Sequence, residues 1–216
     1  MTKLLLGLVR NKQLASKLAF KGGTALYLFG GLDRFSTDLD FDLVGKGGEA
    51  EIALIDEVIK DNLTIMDKKT KRYTWYWCGS YEKGMNKIKV EVNTRQYPNE
   101  YERKDYRGYS LLIMKPEYMM AHKLCAVLDR KKLQNRDLYD IWWMLKHDYW
   151  AEKTIVELRM GVNMKDYWGK LLKLVRKLPA NYDILSGLGE VMGEGKKDWV
   201  KAKLIAELEL ELASRV

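Results

Sequence analysis

The sequence predicts an α+β protein: a small mixed β-sheet flanked by helices, followed by a helical domain. Three observations carry this. Apolar side chains alternate with other residues over Asp38–Leu43, Lys71–Cys78 and Lys87–Asn93, the period of half-buried strands. Ile52, Ile55, Val58 and Ile59 recur instead at helical spacing, and from Pro116 onward only the helical period remains. With 216 residues, 47% of them hydrophobic, the chain can bury a substantial core, and a boundary is expected near 110, giving domains 1–110 and 111–216.

Leu6, Val9, Leu14 and Leu18, set among Lys, Arg and Gln, predict one or two amphipathic helices over residues 3 to 20, broken at Asn11 and covering the sheet. Gly22-Gly23-Thr24 opens the next helix, Ala25 to Phe29. Gly30-Gly31 ends it, because glycine tolerates the left-handed turn common at helix C-termini. After the strand DLDFDL, Gly45-Lys46-Gly47-Gly48 is a loop and residues 49 to 62 form a helix on the sheet. Tyr73, Trp75 and Trp77 mark a second strand, and Gly79 to Asn86 reads as a hairpin connection. In the strand that follows, Ile88, Val90 and Val92 face one way and Lys87, Lys89, Glu91 and Asn93 the other.

Residues 94 to 110 interleave Arg95, Arg103, Lys104 and Arg107 with Tyr97, Tyr101, Tyr106 and Tyr109. Arginines reach phosphates and tyrosines stack on bases, so the stretch reads either as an RNA or nucleotide contact or as a solvated linker with packed tyrosines. Pro116 suits a first helical turn, with Met120, Leu124, Val127 and Leu128 as the buried stripe. Arg136–Asp140 opens the next helix, which continues through Trp142, Trp143 and Leu145. Leu171, Leu174, Val175 and Leu178 lead to Pro179, and Trp199 to Leu212 follows a glycine-rich 187–195 loop.

Chemistry concentrates in Lys21–Leu43. Alternation puts Asp38, Asp40 and Asp42 on one strand face, with Leu39, Phe41 and Leu43 in the core. Crowded carboxylates need a counter-charge. A divalent metal meets that need, since Mg²⁺ is commonly held by one or two carboxylates plus substrate phosphates; the alternative is an acidic face that meets water. Glu91 is the acid that a two-metal phosphoryl-transfer site would want on a neighbouring strand, or else a surface partner of Lys89, and Asp42 is its rival. Glycines before a helix start offer unpaired N–H groups to a triphosphate, or serve only as a turn. Lys123 lies on the first helix after Pro116, and Asp137 and Asp140 share a face at i, i+3 on the next.

The balance of 38 Lys and Arg against 30 Asp and Glu, a net charge of +8, favours polyanionic partners such as nucleotides or nucleic acid. Cys78 and Cys125 form no CxxC pair and share no ligand spacing with His122 or His147, which argues against a zinc site or a disulfide framework and fits a reducing cytoplasm. LLLGLV is too short for a secretory h-region, and no apolar run reaches the length of a membrane span.

Gly23-Thr24, the spacing to Arg34-Phe35-Ser36, the Asp38-Leu39-Asp40 dyad, and the later lysine followed by Arg136-Asp137-Leu138-Tyr139-Asp140 resemble the nucleotidyltransferase-like AbiEii/AbiGii toxins of the DNA polymerase β superfamily. The resemblance thins after about Trp143. It implies a Mg²⁺-dependent (or Mn²⁺-dependent) nucleotidyltransferase that moves an NMP from an NTP to an acceptor hydroxyl with release of pyrophosphate. Asp38, Asp40, Lys123 and Asp137 or Asp140 would be catalytic, and Lys21, Gly22, Gly23, Thr24, Arg34 and Ser36 would bind the nucleotide. Asp38, Asp40 and Glu91 would hold metal, with the nucleotide in a cleft between the domains. It further implies a cytoplasmic toxin with a cognate antitoxin, and tRNA as acceptor. Rivals are a transferase that adds AMP or UMP to protein, an antibiotic-modifying transferase, and a non-catalytic nucleotide- or antitoxin-binding module.

Overall fold

The computed structural model describes residues 1–82 and 86–216, so the connection read over Gly79 to Asn86 lies partly outside the described residues. The chain divides into two compact units, Met1–Gly30 with Ser36–Lys115 and Gly31–Phe35 with Pro116–Val216. The division falls beyond residue 110 because a strand runs from Tyr109 to Met114 within the first unit.

The first unit comprises α1 (Thr2–Arg10), α2 (Lys12–Ala15), β1 (Leu18–Lys21), α3 (Gly22–Ala25) running into a π-helical turn at Leu26–Gly30, β2 (Asp38–Leu43), α4 (Glu49–Lys60), β3 (Thr64–Lys71), β4 (Thr74–Ser80), β5 (Ile88–Asn93), β6 (Tyr101–Tyr106) and β7 (Tyr109–Met114). Asn11 breaks the first helical stretch as expected: its side chain accepts from the N–H groups of Gln13 and Leu14, capping α2. The strands form one mixed seven-stranded sheet in the order β3-β4-β5-β2-β1-β7-β6. The β2–β5 and β1–β7 pairs are parallel and the remaining pairs antiparallel.

One sheet face is apolar. Leu18 and Phe20 of β1, Leu39, Phe41 and Leu43 of β2, Val90 and Val92 of β5, and Trp75 and Trp77 of β4 are all buried. Leu4, Leu5 and Leu8 of α1 and Ile55 and Ile59 of α4 are buried with them. Trp77 Nε1 donates to Asp56 of α4, which satisfies the indole N–H under the helix. The opposite face holds the polar residues of the same strands, Lys21, Asp38, Asp40, Glu91 and Tyr76 among them.

Three segments depart from the sequence reading. Residues 18–21 leave the helical stretch and become β1, a short strand bordered by β2 and β7. Thr64–Lys71 forms an edge strand with no buried residue, its apolar side chains limited to the adjacent Ile65 and Met66. The stretch read as a linker or nucleic-acid contact is in large part the β6–β7 hairpin, turned at Arg107 and Gly108, both with positive φ.

The second unit comprises the 31–35 segment with α5 (Pro116–Asp129), α6 (Asn135–Lys146), α7 (Lys153–Met160), α8 (Met164–Arg176), a short 3₁₀ turn at Gly189–Val191 and α9 (Glu194–Ala213). Its core holds Leu124, Leu138, Tyr139, Ile141, Tyr167, Leu171, Leu204 and Leu208, each buried. The 31–35 segment is anchored by the Phe35 N–H on Val191 O at 2.8 Å, and by the Tyr139 hydroxyl, which donates to Asp33.

Candidate active site

In the first unit, strand register builds a polar row across the sheet. Lys21 of β1 lies opposite Asp40 of β2, Asp40 opposite Glu91 of β5, Glu91 opposite Tyr76 of β4, and Tyr76 opposite Lys69 of β3. One strand step away, Ala19, Asp42, Asn93, Thr74 and Lys71 form a parallel row.

The three aspartates of β2 have different environments. Asp42 is buried, and its carboxylate is saturated: Lys21 Nζ pairs with Oδ1 at 2.5 Å, Asn93 Nδ2 donates to Oδ1 at 2.8 Å, and Asn99 Nδ2 and the Tyr101 hydroxyl donate to Oδ2 at 2.9 and 3.1 Å. A carboxylate so occupied anchors β1, β2, β5 and the start of β6 together. Burial and then the Asp42 charge push the Tyr101 phenol well up, so it stays a hydrogen-bond donor. Lys21, expected at the nucleotide, has its ammonium on Asp42 in this structure. Asp38 and Asp40 are half-buried on the same strand face.

Gly22 explains how Asp40 approaches the turn that starts α3. Its φ is +80°, and a Cβ there would lie 2.4 Å from Asp40 Oδ2. Only glycine gives both the left-handed backbone and the room for that carboxylate. The helical turn begins at Gly22 itself rather than at Ala25. Thr24 is buried with its hydroxyl donating to the Asp38 carbonyl, so its side chain pins α3 to β2. Gly23 is buried beside it, and Ser36 is also buried.

A metal fits part of this set. Asp38 and Asp40 supply the hard oxygens that Mg²⁺ takes from one or two carboxylates before phosphates complete its shell. Glu91 is exposed on β5 opposite Asp40, and among the described residues no three His, Cys, Asp or Glu side chains converge on one metal position.

Beside Glu91 lies a cavity of about 370 Å³ lined by Lys69, Lys71, Thr74, Tyr76 and Glu91. The Tyr76 phenol is pushed up to about 12, first by burial, then by the Cys78 thiol and the charges of Asp67 and Asp38. Nothing in the sequence reading selected Lys69, Lys71 or Tyr76 for function. The lysine alternation at 69 and 71 was the available signal, and it had no meaning before β3 was recognised as a strand.

The second unit holds a separate charge cluster. Asp140 on α6 is fully buried and accepts two parallel bonds from Arg34, Nε at 2.5 Å and Nη2 at 2.6 Å. Lys123 Nζ of α5 lies 2.5 Å from Asp140 and 3.6 Å from Asp137, which also pairs with Arg130. Burial alone would raise the Asp140 pKa, but the charges of Lys123 and Arg34 outweigh it and hold the group below the ordinary carboxylate value. Arg34, expected to contact nucleotide, is itself buried and committed to this carboxylate. Arg130 was missed because nothing in its spacing distinguishes it from a surface arginine.

The tyrosines of residues 94–110 are likewise engaged within the first unit. Tyr106 packs edge-on against Phe29 at 5.6 Å, and Tyr109 lies under Arg10 at 4.9 Å. With Tyr101 on Asp42, these rings act as packing groups of the sheet edge.

A mixed sheet carrying a Gly-Gly-Thr turn against an Asp-x-Asp strand defines the chain as a nucleotidyltransferase-type protein. It belongs to the nucleotidyl transferase AbiEii toxin family of type IV toxin–antitoxin systems, whose profile matches residues 3–164. JHP933 of Helicobacter pylori is 27% identical, with 99% of this chain and 89% of that one covered and a TM-score of 0.57. A Helicobacter pylori protein assigned as a nucleotidyltransferase is also 27% identical, with 99% and 92% covered and a TM-score of 0.59. An antigenic nucleotidyltransferase-like protein of Paracoccidioides brasiliensis shares the fold at 17% identity, with 91% and 96% covered and a TM-score of 0.50. Among proteins of curated function none matches significantly. No helix among the described residues is long and apolar enough to cross a membrane.

Proposed function

We propose that the chain transfers a nucleoside monophosphate from an NTP to an acceptor hydroxyl on the polar face of β1, β2 and β5. The observation that carries this reading is the pairing of Gly22 with Asp40: a glycine in left-handed conformation leaves room for a dyad carboxylate against the Gly-Gly-Thr turn. The acceptor oxygen attacks the α-phosphorus in line, and the bond from that phosphorus to the bridging oxygen breaks. The electron pair departs with pyrophosphate, and the hydroxyl proton passes to Glu91, which stands opposite Asp40. Backbone N–H groups of the Gly22–Thr24 turn hold the phosphates. Thr24, through the Asp38 carbonyl, keeps that turn in register with the dyad. A divalent cation, Mg²⁺ or Mn²⁺, held by Asp38 and Asp40 with Glu91 beside them, would lower the charge on the phosphates and activate the attacking oxygen.

The excess of 8 positive charges supports a polyanionic acceptor such as tRNA. Both cysteines are free and buried, which is compatible with action in the cytoplasm, and the family supports a cognate antitoxin protein as partner. The test is incubation with each labelled NTP, Mg²⁺, total RNA and cell protein. Ribonuclease-sensitive label in a tRNA-sized band, absent with Asp38→Asn or Asp40→Asn and absent in chelator, is the expected result. Label on protein alone selects the protein-modifying transferase. No label under any condition rejects transfer.

A further inference from the structure

We infer that the cavity beside Glu91 is the acceptor subsite, seating the terminal nucleotide of a single-stranded nucleic acid with its phosphates on Lys69 and Lys71. This rests on the transfer reading above and adds the place and chemistry of the second substrate. The first argument is position. The cavity shares its wall, Glu91, with the row that contains Asp40, and Tyr76 and Lys69 continue the row toward the sheet edge. Neighbouring strands are about 4.8 Å apart, so from β2 to β4 is roughly 10 Å, the reach of one nucleotide lying across the strands.

The second argument is direction. In-line displacement requires the attacking oxygen and the leaving pyrophosphate on opposite sides of the phosphorus. The Gly22–Thr24 turn follows β1, on one side of β2, and β5 and β4 lie on the other. If phosphates sit at the turn, the acceptor enters from the side where the cavity is.

The third argument is the lining. Lys69 and Lys71 stand at i, i+2 on one face of β3, about 7 Å apart, within reach of successive phosphates on an extended strand. The Tyr76 ring, opposite Lys69 and 5.8 Å from its Nζ, is an aromatic surface on which any base can stack. Thr74 and Glu91 complete the lining with hydroxyl and carboxylate groups for sugar hydroxyls. Lys69 pairs with Asp67 at 2.6 Å, but Lys69 is exposed and Asp67 half-exposed, so the pair is a surface one that a phosphate can displace at little cost. A free nucleotide alone does not call for two further lysines on the side away from the turn.

The experiment is fluorescence anisotropy of a labelled single-stranded RNA oligonucleotide, with NTP binding followed separately by calorimetry. Lys69→Ala with Lys71→Ala should weaken RNA binding roughly tenfold and flatten its log–log salt dependence by about 1.4, the value for two lost phosphate contacts on a single strand. Tyr76→Ala should weaken it as well and Tyr76→Phe should not, with NTP affinity kept in every case. Circular dichroism melting checks that each variant is folded. Unchanged RNA affinity in the folded double variant overturns the subsite, as does a parallel loss of NTP affinity, which would make the cavity part of the NTP site. The two readings fail separately. If wild type labels RNA while the double variant keeps its RNA KM, transfer stands and the subsite falls. If RNA binding needs the lysines and Tyr76 but no label is ever transferred, the nucleic-acid site stands and transfer falls. Label on protein alone, indifferent to these substitutions, overturns the subsite.

Discussion

Arg34 grips Asp140 through two parallel hydrogen bonds of 2.5 and 2.6 Å across 106 residues of sequence. The guanidinium is buried, the carboxylate is fully buried, and Lys123 supplies the second positive charge. The motif arginine therefore acts as a fastener for the second unit.

Removing the carboxylate leaves the buried Arg34 guanidinium without its anionic partner and Lys123 with only the more distant Asp137. Asp140→Asn should lower the free energy of unfolding by about 3–5 kcal/mol, measured by urea denaturation. A loss under 1 kcal/mol would mean that the cluster relaxes into water.

The same carboxylate sets an acid dependence. Its folded pKa is held below the ordinary aspartate value, so its contribution is fully present above the unfolded pKa of about 3.9 and is lost as pH falls through the lower folded value. Wild type should therefore lose stability more steeply than Asp140→Asn as the pH falls below about 4. Parallel pH profiles of the two proteins would refute this.

Asp40 and Asp42 lie two residues apart on one strand face and should separate function from stability. Asp42→Asn breaks the Lys21 pair and disturbs Asn93, Asn99 and Tyr101, so it should cost about 3 kcal/mol in thermal or urea unfolding. Asp40→Asn should abolish nucleotide transfer with a melting temperature near wild type. Reversal of the pattern would move the chemistry to Asp42.

Gly22→Ala places a Cβ 2.4 Å from Asp40 Oδ2 at a φ of +80°. It should destabilise the fold by about 1–2 kcal/mol from backbone strain and reduce transfer at least tenfold by displacing the carboxylate. Calorimetric melting and labelled-NTP incorporation measure the two effects. Normal incorporation would show that the Asp40 position is not critical.

Lys123 is the residue for which resemblance and contacts give different accounts. If the lysine also serves the nucleotide, Lys123→Ala should weaken NTP binding in calorimetry and reduce the salt dependence of that binding. Reduced stability with unchanged NTP affinity would assign it wholly to Asp140 and Asp137.

Sequence alone revealed the elements with strong periodicity and specific punctuation. β2, β5, α4, α5 and α6 were legible because one face of each is apolar at the correct period, and the Gly-Gly-Thr to Asp-x-Asp spacing located the dyad. β1 was hidden because four residues are too few to show a period. β3 was hidden because its apolar residues, Ile65 and Met66, are adjacent rather than alternating and the rest of the strand is polar, as an edge strand allows. The partners of Lys21 and Arg34 were not legible for another reason. Cross-strand register and a contact spanning 106 residues decide which carboxylate each cation meets, and neither is visible in local spacing. The Lys69–Tyr76–Glu91 row depends on the same register, so it became visible only once the strand order was known.

The five residues Gly31–Phe35 belong to the helical unit although the chain on either side belongs to the sheet unit. Neither unit is therefore a contiguous gene segment, and cutting the chain after Lys115 does not separate them cleanly. A fragment of residues 116–216 would leave Asp33 and Arg34 behind, and Asp140 would keep only Lys123 in its buried surroundings. During synthesis, Arg34 leaves the ribosome long before Asp140 is made, so the amino-terminal half carries an unanswered charge until α6 emerges. The helical unit can finish folding only with a piece of chain that was delivered in advance.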